Sequence, residues 1–200
     1  MADMALILGI DEAGRGPLAG PVAAACVFIP PDKRALSFWE AVTDSKKVSA
    51  KKREALFPFI CENSVFGIAQ ASAAEIDELN IHRATLLAMK RAYEVCADAM
   101  GPRGDFHALV DGKFCPDIDC RSQAVVGGDG KHLEIAAASI LAKVTRDRLM
   151  AELDALFPVY GWARNAGYGT AEHMAAITAH GITDHHRKSF APCAAYARRA

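Results

Sequence analysis

Two adjacent carboxylates, Asp11 and Glu12, close the apolar run ALILGIDE near the start of the chain. Neighbouring strand residues point to opposite faces, and a buried carboxylate without a partner is costly. The pair therefore demands solvent, a turn to cap, or a cation. Asp111 repeats the pattern at the end of FHALVDG (106–112), and the C-terminal end of a buried strand is where α/β sheets place site residues. Asp129 adds a third region within VVGGDG (125–130), where glycines let backbone and carboxylate come close to a phosphate. Four carboxylates without His or Cys companions suit hard cations, Mg²⁺ or Mn²⁺, that keep positions for water and phosphate oxygens. Two such ions about 4 Å apart activate an attacking water and stabilise a leaving 3′ oxygen in phosphodiester hydrolysis. That chemistry requires the fold to bring three separate segments together.

The elements that must do so are legible in outline. Residues 5–11 and 22–29 read as strands joined by the Gly- and Pro-rich GRGPLAGP, a hairpin that opens the domain. VFGIAQAS (65–72) reads as a third strand, with Ser72 and Glu75 forming a capping box for the helix that follows. Leu86, Leu87, Met89, Ala92, Tyr93 and Cys96 recur at spacings of three and four, which predicts a helix over 81–100 ending before Gly101-Pro102. Residues 106–112 read as a buried strand, 133–156 as a second long helix closed by Pro158, and Thr170 as the N-cap of a helix in TAEHMAAITAHG. Strands first, then alternating helix and strand, give a mixed sheet flanked by helices with a helical C-terminal extension.

Composition sets the class. The chain has 200 residues, 52% hydrophobic and 24% charged, which fits one compact domain. At this length roughly 70% of the unfolded chain's surface can be buried, so disulfides are not needed. The six cysteines are scattered without a CxxC pair and read as small buried hydrophobes in a reduced, cytoplasmic protein. Cys115 and Cys120 lack the second pair that a zinc site needs. The N-terminus has no basic region of a secretory signal, and no apolar stretch reaches the ~18 residues of a membrane span. The net charge of −1 gives no whole-molecule attraction to nucleic acid. Charge is patterned, however: Lys46, Lys47, Lys51, Lys52 and Arg53 form one basic stretch, Lys143, Arg146 and Arg148 another, Arg187 and Lys188 a third. Each alone reads as a solvated face; beside a carboxylate cluster they read as a phosphate-binding surface.

GIDEAGRGPLAGPV (Gly9 to Val22) resembles the opening signature of type 2 ribonucleases H. TDSKKVS (Thr43 to Ser49), EIDELNIHRATLLAM (Glu75 to Met89), LVDG (Leu109 to Gly112), IAAASILAKVTRDR (Ile135 to Arg148), FPVYGW (Phe157 to Trp162), GYGT (Gly167 to Thr170) and HHRKSF (His185 to Phe190) continue the resemblance in that family's order. The resemblance implies an RNase H-like α/β fold, a mixed five-stranded sheet flanked by helices. It implies that residues 1–200 form a single catalytic domain, of which about 158–200 is a small helical extension. It implies that Asp11, Glu12, Asp111 and Asp129 are catalytic and bind Mg²⁺ or Mn²⁺, two ions with substrate present. The implied substrates are RNA/DNA hybrids and DNA duplexes with embedded ribonucleotides, cut 5′ of the ribonucleotide by a cytoplasmic monomer.

By the same resemblance the Gly14-Arg15-Gly16 turn meets the ribonucleotide and its 2′-hydroxyl, and Tyr168 stacks on the sugar of the following deoxynucleotide. Glycines suit close approach of backbone amides to a sugar edge, and the 2′-hydroxyl distinguishes RNA from DNA. Lys46, Lys47, Ser139, Lys143 and Arg146 are assigned to phosphate contacts, and His186 and Arg187 are expected near substrate. One departure stands out: Gly127 and Gly130 occupy positions where the family more often has lysine and serine, which predicts a looser loop and weaker substrate binding. His173 and His180, two turns apart, lack the carboxylate of an HExxH zinc site.

Rival readings are weaker. Other RNase H-like nucleases lack the GRG and GYGT blocks. A type 3 ribonuclease H carries an N-terminal substrate-binding domain, whereas eight residues precede Gly9 here. A phosphotransferase would need GxxxxGK[ST]. An inactive nucleic-acid binding module would have no need of all four carboxylates.

Overall fold

The computed structural model describes residues 6–101 and 105–197. Strands β1 (Leu6–Ala13), β2 (Val22–Phe28), β3 (Val65–Ala71), β4 (Phe106–Asp111) and β5 (Arg121–Val125) form one five-stranded sheet in the order β3-β2-β1-β4-β5. The β2 strand runs antiparallel to β1 and β3, whereas β1, β4 and β5 are mutually parallel. The central strand is therefore β1, and its apolar composition follows from burial on both faces.

Alternation along the strands sorts the core into two layers. Leu8, Ile10, Ala24 and Cys26 face helix α3 (Ile81–Met100) through Ala88, Met89, Ala92 and Tyr93. Ala25 and Val27 face helix α4 (Leu133–Leu156) through Ala137, Ile140 and Leu141, and helix α1 (Ala50–Asn63) joins this layer through Leu56 and Ile60. Two glycines permit the close approach. A Cβ on Gly9 would lie 2.1 Å from the Glu134 carbonyl carbon, and one on Gly67 would lie 2.1 Å from the Ala92 oxygen. The first turn of α4 thus rests on β1 two residues before Asp11.

Helix α2 (Ala73–Leu79) begins at the expected capping box, Ser72 accepting from the Glu75 amide while Glu75 accepts from that of Ser72. The C-terminal part contains α5 (Trp162–Asn165), α6 (Ala171–His180, capped by Thr170) and α7 (Ala191–Ala197). Tyr160, Trp162, Ile177 and Cys193 pack with Leu18, Ala19 and Met150 in a third cluster, which ties these helices to the loop between β1 and β2.

Both long helices have the bounds read from periodicity. Two elements were not located in the sequence. The edge strand β5 leaves Arg121, Ser122 and Gln123 exposed and so shows no apolar alternation. The α1 helix opens on Lys51, Lys52 and Arg53 and contains Pro58. None of the six cysteines forms a disulfide.

Candidate active site

Asp11 and Glu12 lie inside β1 and not beyond its end, opposite Ala25 and Ala24 of β2. The register that pairs Ile10 with Val110 sets Asp11 beside Asp111, the last residue of β4. Asp129 sits in a single 3-10 turn, Gly128–Gly130, directly before α4. That turn is tied to the sheet by the Gly128 amide, which donates to Asp111 Oδ1 at 2.7 Å. A side chain on Gly128 would run into Ile135, at 2.5 Å from its Cδ1. Gly127 adopts the left-handed conformation (φ 64°). Of the glycines in VVGGDG, Gly128 is held by contacts, whereas Gly130 faces open space.

The four carboxylates lie near enough for their charges to act on one another. Asp11 is only 5% exposed; burial and then the charges of Glu12, Asp111 and Asp129 push its carboxyl well above the usual range, against the Glu12 amide that donates to it at 2.7 Å. Burial also raises Glu12, although Arg15, 3.4 Å away, offsets part of the effect. Asp129 is raised by burial and by Asp44 and Asp111. As they stand, no three His, Cys, Asp or Glu side chains among the described residues are gathered closely enough to ligate one ion.

Asp44 was not singled out in the sequence. It shares a hydrogen bond with Asp129 and accepts from the Lys46 amide at 2.9 Å. Burial opposes its charge, but that amide, the Asp129 hydrogen bond and the charges of Lys46 and Lys47 hold it below the usual range. Its position two residues before the lysines of TDSKK was the available signal.

Glu12, the Gly14-Arg15-Gly16 turn, Lys46, Lys143 and Tyr168 line one open cleft of about 320 Å³. Tyr168 is half exposed, and its ring edge lies over Gly16, where a Cβ would meet Cε1 at 3.4 Å. Lys143 pairs with Asp147 at 2.6 Å, and Lys47 projects into solvent. A larger apolar cleft of about 450 Å³, lined by Leu149, Leu153 and Leu156, has none of the four carboxylates on its wall.

Four residues expected on substrate are instead buried. Ser139 accepts from the Ser45 amide at 3.3 Å, which holds the lysine loop. Arg146 donates to the carbonyls of Ala19, Pro21 and Ala166. Arg187 donates to those of Gly14, Arg15, Gly20 and Pro21. His186, with no exposed surface, faces His173. The physical reason is common to the two arginines: a Gly- and Pro-rich turn has carbonyls in excess of donors, and guanidinium groups supply them. These residues hold the loops of the site from beneath, and of the four only Arg146 also lines the cleft.

The buried histidine pair gives the protein an acid-labile element. Burial, and then the neighbouring His173, push His186 down to about 4, and burial also lowers His173. A folded pKa below the unfolded value of about 6.5 means stability that is present above pH 6.5 and lost as pH falls toward 4. The raised carboxyls of the active site act with the opposite sign, so the histidine contribution is read as a difference. Relative to His186→Gln, wild-type protein is expected to lose on the order of 2 kcal/mol between pH 7 and pH 4.5 in urea melts. Parallel stability profiles would refute it.

A mixed sheet with carboxylates on its adjacent parallel strands β1 and β4, flanked by helices, is an RNase H-like architecture. The family model for ribonuclease HII matches residues 8–193, and the chain belongs to the ribonuclease HII family, enzymes of the ribonuclease H class. It is 52% identical over 191 residues to ribonuclease HII of Paramagnetospirillum magneticum, covering 96% of this chain and 92% of that one. Among solved structures it is similar to the ribonuclease HII in a PCNA complex from Archaeoglobus fulgidus (TM-score 0.70, 28% identity, 91% and 93% of the two chains). A Bst ribonuclease HIII in complex with Mn²⁺ shares the fold at 18% identity (TM-score 0.80, 98% of this chain and 70% of that one).

Proposed function

We propose that the protein hydrolyses the RNA-containing strand of RNA/DNA hybrids and of DNA duplexes with embedded ribonucleotides, cutting 5′ of a ribonucleotide to leave a 3′-hydroxyl and a 5′-phosphate. The observation that carries this reading is the convergence of Asp11, Glu12, Asp111 and Asp129 beside a cleft lined by the Gly14–Gly16 turn, two lysines and Tyr168. An all-oxygen donor set in which burial and neighbouring carboxylates raise Asp11, Glu12 and Asp129, with Arg15 as the cation paired to Glu12, fits a divalent metal. Asp11, Glu12, Asp111 and Asp129 would hold Mg²⁺ or Mn²⁺; the Mn²⁺ complex of the ribonuclease HIII supports that class of ion. When bound, such ions supply an activated water and neutralise charge on the leaving oxygen.

The chain's own groups do the positioning. Lys46 and Lys143 offer charge to the phosphates that flank the cut. The Gly14–Gly16 backbone lets the sugar edge approach, and the half-exposed Tyr168 ring offers a flat face to the next sugar. Six cysteines without a disulfide suit a reducing cytoplasmic setting.

The test is a gel assay on a labelled duplex carrying one ribonucleotide, with Mg²⁺, with Mn²⁺ and with chelator. Metal-dependent incision 5′ of that nucleotide is the expected result, and binding without incision would leave an inactive binding module. Tyr168→Ala is expected to lower kcat/KM about tenfold on this duplex and much less on a uniform RNA/DNA hybrid. Equal losses on both would remove Tyr168 from junction recognition.

A further inference from the structure

Tyr168 projects its ring into the cleft from a segment held at every peptide. The Ala166 carbonyl accepts from Arg146, the Gly167 amide donates to Asn165 Oδ1, and the Gly167 carbonyl accepts from the Leu18 amide at 2.7 Å. The Tyr168 amide donates to the Asn165 carbonyl at 2.9 Å. Ala166 is left-handed (φ 48°), a strained conformation for a residue with a Cβ, and it persists because these contacts fix it.

The Tyr168 carbonyl accepts from the Thr170 amide at 2.8 Å and from a histidine ring whose protonation state follows from its neighbours. His173 Nδ1 lies 3.0 Å from that oxygen, which can only accept, so Nδ1 carries the proton. Its Nε2 is then bare, and receives Trp162 Nε1–H at 3.0 Å and His186 at 3.1 Å. On the far side His186 Nδ1 accepts from the Thr183 amide at 3.0 Å, so His186 carries its proton on Nε2 and donates it to His173. Each tautomer is fixed by a different backbone group, and the two assignments agree. Both rings are fully buried. Neither has a lone pair left for a metal or a surface for substrate.

We propose that His173, oriented by His186 and Trp162, is a positioning residue for Tyr168: its Nδ1–H fixes the Tyr168 peptide and thereby the placement of the ring over Gly16. This rests on the proposed function, in which Tyr168 reads the nucleotide that follows the ribonucleotide. The role goes to the donor at Nδ1, and not to the bulk of the ring.

Two near-isosteres separate those alternatives. His173→Asn sets an amide N–H where Nδ1 was; His173→Gln sets its amide where Nε2 was and leaves the Tyr168 carbonyl without that donor. Incision is measured with full-length protein on the single-ribonucleotide duplex and on a uniform hybrid, with thermal melts of each variant. His173→Gln is expected to lose about five- to tenfold in kcat/KM on the former and less than about threefold on the latter, while His173→Asn keeps the wild-type ratio. In a Tyr168→Ala background the two variants should be indistinguishable. Equal losses on both substrates, losses that persist without Tyr168, or a ratio preserved by Gln and lost by Asn would each overturn the proposal. If wild-type protein cuts neither duplex the proposed function fails by itself. The histidine assignment is then decided by nitrogen NMR of the His173 ring, where protonated Nε2 overturns it and protonated Nδ1 with bare Nε2 sustains it.

Discussion

Asp11→Asn is expected to lower turnover by at least about a thousand-fold and, in chelator, to make the protein more stable than wild type. The two effects have one origin. Asp11 is buried on the central strand, and the charges of Glu12, Asp111 and Asp129 add to burial in raising its carboxyl. A carboxyl whose folded pKa is raised contributes stability that is present below its unfolded pKa of about 3.9 and is lost as pH rises through the folded value. As pH rises through that folded value the wild type bears this loss. Asparagine bears none of it and keeps an oxygen to accept the Glu12 amide, so a gain of about 1–2 kcal/mol, or a few degrees in Tm, is expected. The gain should shrink as pH falls toward 4, where Asp11 itself becomes neutral. Duplex binding in chelator should be undiminished, because a neutral side chain repels phosphate less. Wild-type incision by the variant would remove Asp11 from the catalytic set, and a lower Tm at every pH would refute the electrostatic account.

The parts of this molecule that were legible in the sequence are those governed by short-range rules. Helices α3 and α4 run between the residues that periodicity and punctuation indicated, and Ser72 and Thr170 cap the helices they were assigned to. The β5 strand escaped because an edge strand with a solvated surface has no apolar pattern to show. The α1 helix escaped because it buries only Leu56 and Ile60 against α4, leaving too narrow a stripe to detect. The carboxylates were legible as strand-end anomalies, and the sheet register explains why Asp11 and Asp111 adjoin. What a linear reading could not supply was the burial of charge. Arg146 was read as a phosphate contact and Arg187 as a residue near substrate because basic residues beside a nuclease site usually are. The missing consideration was the turn between β1 and β2, where Gly14, Gly16, Gly20 and the prolines offer carbonyls and no side-chain donors.

Arg187→Met should therefore destabilise the fold by about 3–5 kcal/mol and, where folded protein is recovered, reduce kcat/KM about a hundred-fold. Arg187 has no exposed surface, and no carboxylate of the described residues lies within ion-pair distance of it. Burial, and then repulsion from Arg146, push it down to about 9, so the charge is held at a cost that only its hydrogen bonds justify. Methionine matches much of its volume and removes the repulsion, which offsets part of the loss. It nonetheless leaves the Gly14, Arg15 and Gly20 carbonyls without their donor, at 2.5 to 3.0 Å in the native turn, while Pro21 keeps Arg146 alone. Two of those residues belong to the segment that meets the ribonucleotide sugar in the proposed function. Lysine should recover little, because a point charge on a flexible stem cannot span carbonyls that the planar guanidinium bridges. Urea melts measure the first effect and steady-state incision the second. The salt dependence of duplex binding then separates a scaffold role from a phosphate contact. A residue that neutralises a phosphate lowers the slope of log K against log salt by about one when removed, whereas a buried clasp leaves it unchanged. A variant of wild-type stability with a reduced slope would return Arg187 to the substrate; an unstable one with the full slope keeps it beneath the turn, holding the backbone that the substrate touches.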